Sequence, residues 1–135
     1  MAKPPEAPQH LPEDVNVLFM EGAIGAKRTP HSACIAFRSC LEAALKRLDP
    51  ESGGRVSLKD RIDRLVAKHL LPPAIQDWAH HIRDMGNDAA HADGLGTQED
   101  ARTLAQELQG FTHHVLLYLF TLPKEIELAR QRRAV

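Results

Sequence analysis

The chain has 135 residues, with seventeen Lys and Arg against eighteen Asp and Glu, a net charge of −1 and a pI near 6.7. Hydrophobic residues at 43% and charged residues at 26% describe one globular domain, not a disordered chain. The balance excludes a nucleic-acid binder held by bulk charge, no apolar run reaches the roughly 18–20 residues of a membrane span, and the N-terminus leads into no apolar signal core; a cytoplasmic location is expected.

Pro4, Pro5, Pro8 and Pro12 crowd the start. Proline lacks the N–H that a helix needs, so residues 1–11 are expected to be a flexible leader and 12–135 one domain. A first helix can begin near Pro12, with Glu13 and Asp14 suiting its dipole. Its stripe is Val15, Leu18, Phe19 and Ile24, and Gly22 and Gly25 weaken its end. Thr29 as N-cap and Pro30 at the first position open a second helix. Cys34, Phe37, Leu41, Ala44, Leu45 and Leu48 form its buried face; Arg38, Glu42 and Lys46 line another face. Cys34 and Cys40 lie about 9 Å apart on one helix, too far to bridge each other, and are expected as small reduced core residues. Asp49 to Gly54 reads as a loop.

Ser57, with Asp60 three residues on, caps a third helix whose face is Leu58, Ile62, Leu65, Val66 and Leu70, stopped by Pro72-Pro73. Ile75, Trp78, Ala79, Ile82, Met85 and Ala89 give a fourth helix, with Trp78 in the core and Gly86 marking a bend or close approach. A loop from Ala92 to Gly96 follows. Thr97 caps the fifth helix, with the stripe Ala101, Leu104, Ala105, Leu108, Phe111, Val115 and Leu119. Val115 to Leu122 is apolar almost all round, which predicts burial or an interface. Pro123 is expected to break this helix, and a last one runs from Lys124 to about Arg132, its arginines suiting a helix C-terminus. The class is therefore all-α, an antiparallel bundle of five to six helices that could readily dimerise.

There is no phosphate-binding glycine loop and no nucleophile elbow, and no cofactor is implied. Eight histidines include the doublets His80-His81 and His113-His114, but no His-x-x-x-His or Cys-x-x-Cys spacing, so no metal site is assigned; a metal-binding or small-ligand bundle remains a lesser alternative. The densest polar constellation lies on the fourth helix. Arg83, Asn87 and His91 step by four residues, and His80 joins the same side. Such a ladder suits phosphodiester transfer without metal, with His91 as general base or acid, Arg83 stabilising an oxyanion and Asn87 orienting either. From the residues alone, a buried polar network tying this helix to its neighbours is the favoured role.

The string Ile82-Arg83-Asp84-Met85-Gly86-Asn87-Asp88-Ala89-Ala90-His91 resembles the Arg-x-x-Gly-Asn-x-Ala-Ala-His signature of the domain-of-unknown-function family 4145. The helix around Arg38, Leu41 and Glu42, the order Leu58 to Leu70, Pro72, Trp78, and the closing Tyr118 to Pro123 extend the resemblance over roughly residues 12–125. That family resembles the HEPN (higher eukaryotes and prokaryotes nucleotide-binding) group, whose ribonucleases pair two copies of an Arg-x(4–6)-His motif across a dimer. The resemblance implies a HEPN-like bundle, a homodimer, and a bacterial defence, restriction or mobile-element setting. It aligns His91 with the motif histidine and Asn87 with the polar residue after the arginine. Gly86 stands where that arginine would be, and seven residues lie between Arg83 and His91 instead of four to six. The leading expectation is therefore a non-catalytic module binding a protein partner or nucleic acid. The alternative is a metal-independent, toxin-like endoribonuclease using Arg83, Asn87 and His91. Arg38, Glu42 and His80 are candidate binding residues, with Arg38 or Glu42 expected to contact the motif helix.

Overall fold

A computed structural model describes residues 5–50, 56–93 and 97–134, with 87–93 and 134 as backbone alone. Among them are six α-helices: α1 (Glu13–Gly25), α2 (Pro30–Leu48), α3 (Leu58–Ala67), α4 (Pro73–Asp93), α5 (Gln98–Leu116) and α6 (Leu122–Ala134), with a π turn (Leu117–Thr121) joining the last two into one run. The described residues form an all-α bundle. Helix α2 packs on α1, α5 and α3, and α4 on α5 and α3. One apolar cluster sits between α1, α2 and α5 around Phe19, Phe37 and Leu116. A second joins α2, α3, α4 and α5 through Leu41, Leu65, Ile75 and Phe111.

The stripe of α5 is buried much as its spacing predicts, from Ala101 to Val115, with Leu104 half-buried. Its start carries the full reciprocal cap: Thr97 Oγ1 accepts from the Asp100 N–H at 3.0 Å, and Asp100 Oδ2 accepts from the Thr97 N–H at 3.3 Å. Ser57 caps α3 with the forward bond of this pair, accepting from the Asp60 N–H at 3.1 Å. Both cysteines are free, Cys40 buried and Cys34 half-buried.

Several local expectations are corrected. Thr29 holds the N-cap position of α2 but its side chain makes no capping bond; its hydroxyl donates back to the Gly25 carbonyl at 3.2 Å. Ile24 is exposed, and Gly22 takes its place on the inner face of α1, because the Phe37 ring lies where a side chain would be. Gly86 marks no close approach among the described residues: a Cβ there would meet Leu104 Cδ2 at 3.9 Å, ordinary van der Waals contact. The helix containing it runs on to Asp93, beyond the expected loop start at Ala92. Residues 51–55 and 94–96, where loops are expected, lie outside the described residues.

Helix α3 stops at Ala67, well before Pro72. His69 adopts the left-handed conformation (φ 62°). The Leu70 N–H then donates to the Leu65 carbonyl at 2.9 Å and the His69 N–H to Val66 at 3.0 Å. This double closure normally uses glycine at the left-handed position. It turns Leu70 outward and buries Leu71 in its stead. Left-handed backbone costs a side chain about 1–2 kcal/mol. His69→Gly is therefore expected to stabilise the fold by about 0.5–1 kcal/mol in urea unfolding, after glycine's extra unfolded-state freedom is subtracted. A loss of stability would show that the His69 ring makes contacts worth more than the strain.

Pro123 does not break the chain. In an α-helix its ring would collide with the carbonyl four residues back, that of Leu119. The wider π turn, in which the Leu122 N–H donates to the Leu117 carbonyl, relieves the crowding and lets α6 continue. The apolar run is only partly interior: Val115, Leu116 and Leu119 are buried, Tyr118 and Leu122 exposed. The leader reaches this end of the bundle. Thr121 Oγ1 donates to the Gln9 carbonyl at 2.8 Å, and His10 Nε2 lies 2.9 Å from Glu125 Oε1.

Candidate functional site

Helix α4 rests on α5 through its apolar side. Ile75 is buried and Trp78 half-buried, its Nε1–H donating to Glu107 Oε1 at 2.8 Å. The Trp78 ring meets Phe111 edge-on at 5.6 Å and lies 5.3 Å from His114, whose Nδ1–H donates to the Gly110 carbonyl at 2.7 Å. Trp78 thus packs and also orients a carboxylate, a polar role that its place on an apolar stripe did not predict.

The opposite side of α4 carries His80 and Arg83, and both are exposed. The expected buried network does not form at these two positions. The reason is angular: at 100° per residue, Arg83 and His80 sit about 140° and 200° round the helix from Trp78, which packs on α5. His80 Nε2 lies 3.6 Å from Asp84 Oδ2, an ion pair along the helix when the histidine is protonated. Arg83 makes no ion pair or side-chain hydrogen bond among the described residues. The side chains of Asn87 and His91 lie outside the described residues; their backbone continues α4.

Arg38 and Glu42 are exposed on α2, and no ion pair or hydrogen bond links either of them to α4 among the described residues. Arg38 acts locally: its charge opposes the burial that raises the pKa of Cys34. Burial pushes Cys40 further, up to about 12, with the Asp14 charge adding to it, and its Sγ–H donates to the Val15 carbonyl at 3.4 Å. Cys40 is an inert core thiol. The histidine doublets do not converge. His80 and His81 are exposed on α4, while the His113 and His114 rings meet each other at 5.7 Å. No group of three or more His, Cys, Asp or Glu able to hold a metal occurs among the described residues. An open groove between α1 and α5, lined by Phe19, Ala23, Lys27 and His113, lies away from Arg83.

His113 on that groove has its pKa lowered from the ordinary 6.5, first by burial and then by the His114 charge. The unfolded chain therefore takes up this proton before the folded one does. Stability is complete above about pH 6.5 and falls as the pH drops through the lowered value. The thermal midpoint is expected to fall between pH 7.5 and 5.5, and by less in His113→Gln. An equal fall in both proteins would remove His113 as the cause.

One residue that the sequence reading placed in a loop is central to the packing. Asp49 caps the end of α2, its N–H donating to Leu45 at 2.9 Å, and it is only 2% exposed. Arg64 Nη1 lies 3.5 Å from Asp49 Oδ2 and Lys68 Nζ 3.7 Å from Oδ1, while the buried Arg61 donates to the Asp49 carbonyl at 3.5 Å. Arg61 and Arg64 on α3 and Lys68 at its C-cap recur at helical spacing, a signal that could have pointed to a buried acidic partner.

An all-helical bundle with one solvent-facing polar side on α4 is the class that fold and site define. No helix among the described residues is long and apolar enough to cross a membrane. The chain belongs to the family described as domain of unknown function (DUF4145), which it matches over residues 24–132. No curated protein and no solved structure matches the chain.

Proposed function

We propose that the chain is a non-catalytic, HEPN-like helical module, dimeric and cytoplasmic, serving a bacterial defence, restriction or mobile-element system by binding a protein partner or nucleic acid through the outer face of α4. The observation that carries this reading is the exposure of Arg83 with no ion pair among the described residues. A long cation held on a packed helix and committed to no partner among the described residues is suited to an external one. The neighbouring His80–Asp84 pair makes the face mixed in charge, which favours a protein surface over a polyanion. Arg38, Glu42 and His80 are further binding candidates on exposed helix faces.

The same exposure also favours the second reading, a metal-independent endoribonuclease using Arg83, Asn87 and His91. A metal-free RNA cleavage assay on wild type, Arg83→Ala and His91→Ala separates the two, with circular dichroism as the check on folding. The expected result is no cleavage by any of the three, with Arg83→Ala unfolding within about 0.5 kcal/mol of wild type, as an exposed substitution should. Cleavage by wild type that both substitutions abolish in folded protein would make the chain a ribonuclease.

A further inference from the structure

The open groove between α1 and α5 has a volume of about 740 Å³, the size of a small-ligand site. Its two walls run antiparallel. At one end the Phe19 ring lies 6.1 Å from that of His113. At the other, Arg102 Nε donates to the Lys27 carbonyl at 3.1 Å, about three turns of α5 away from His113.

The two ends differ in chemistry. The Phe19 end is apolar. Phe19 is 1% exposed and forms the floor, and Ala23 stands one turn above it, too small to fill the space. Burial, and after it the His114 charge, lowers the His113 pKa, so near neutral pH this ring is an uncharged wall. Ile24, on the rim, is left 69% exposed. The other end is cationic. Lys27 and Arg28 are exposed in the turn after α1, and neither makes an ion pair or side-chain hydrogen bond among the described residues. Glu99 of α5 is already paired with Arg102 at 3.1 Å. The one acid among the described lining residues is Glu6, carried by the leader.

We propose that this groove binds an amphipathic organic anion, a single anionic group on an apolar body. The body lies on Phe19, Ala23 and Ile24, and the anionic group pairs with Lys27 and Arg28. Such a ligand covers the exposed isoleucine and gives two uncommitted cations a partner. The polarity of the groove sets its direction. A second anionic group would have to lie against the Phe19 floor or Glu6, so the charge pattern selects one anionic end. The proposal does not rest on the α4 reading.

The test is a fluorescence titration of the full chain with anilinonaphthalene sulfonate, an aromatic body with one sulfonate, and with phenylnaphthylamine, the same body without it. Wild type is expected to bind the sulfonate saturably at one site per chain and the neutral amine about tenfold more weakly. Decanoate should displace the sulfonate competitively. Lys27→Glu with Arg28→Glu should weaken the sulfonate about tenfold and leave the amine unchanged, a split that loss of folding does not give. Glu6→Gln should tighten the sulfonate about twofold. Ala23→Phe fills the groove and should abolish binding of both probes. Both cations are exposed, and circular dichroism checks the fold of each variant. Equal affinity of wild type for the two probes, or sulfonate binding that survives the double charge reversal, overturns the proposal. So does a wild type with no saturable binding.

Discussion

Truncating Phe37 to alanine is expected to destabilise the chain by about 3–5 kcal/mol, the usual cost of emptying a buried aromatic site. Phe37 is fully buried on α2 and meets Phe19 of α1 edge-on at 5.7 Å. Its ring also occupies the space that a side chain at Gly22 would fill: a Cβ there would fall 2.7 Å from Phe37 Cε1. The two positions are therefore one joint between α1 and α2, and a double-mutant cycle reads it. In the wild-type background Gly22→Ala gains about 1 kcal/mol of helix propensity but meets an overpacking cost of about 1–3 kcal/mol, for a net loss. With Phe37→Ala already in place the collision is gone, and the same substitution should stabilise. The measurement is urea unfolding of all four proteins. A Gly22→Ala effect of the same sign in both backgrounds would show that ring and glycine are not interlocked.

Asp49→Ala should cost about 2–3 kcal/mol. Removing one member of a buried ion pair typically costs about 3–5 kcal/mol, because the remaining charge is left desolvated. Here Arg64 and Lys68 are half-exposed and regain water, which lowers the figure, while Arg61, at 3% exposure, keeps its bond to the Asp49 main-chain carbonyl. Asp49→Asn keeps the shape and the backbone cap and removes the charge alone. It is expected to lose most of the same stability, and to lose it at high salt as well, since a buried group is poorly screened. If the asparagine variant matches wild type, the residue acts through its backbone cap and the carboxylate adds nothing.

The legible parts of this molecule were the local ones. Caps at Ser57 and Thr97 and the stripe of α5 are written in residues a turn apart, and they place the starts of α3 and α5 to the residue. Features that depend on two distant segments were not legible. Asp49 before a proline looks like any loop acid until α3 brings three cations to it. Gly22 looks like a weak helix end until Phe37 is packed over it. The α4 pattern differs at His80 and Arg83: both face solvent where a buried network is expected, because two faces of one helix compete for a single set of neighbours. The candidate residues Arg83 and His80 could be found by pattern; their exposure could not.

The π turn before Pro123 has a consequence for how α6 can change. A π turn holds one residue more than the α-helical path it replaces, and one residue is worth about 100° of helical phase. Everything after Thr121 is thus turned by that amount relative to α5. The direction in which Leu122 and Ile126 look is set by the five residues upstream of α6, not by α6 itself. A single-residue deletion among them would swing these exposed side chains to another azimuth with the sequence of α6 untouched, so a length change of one residue re-aims the whole helix surface in one step.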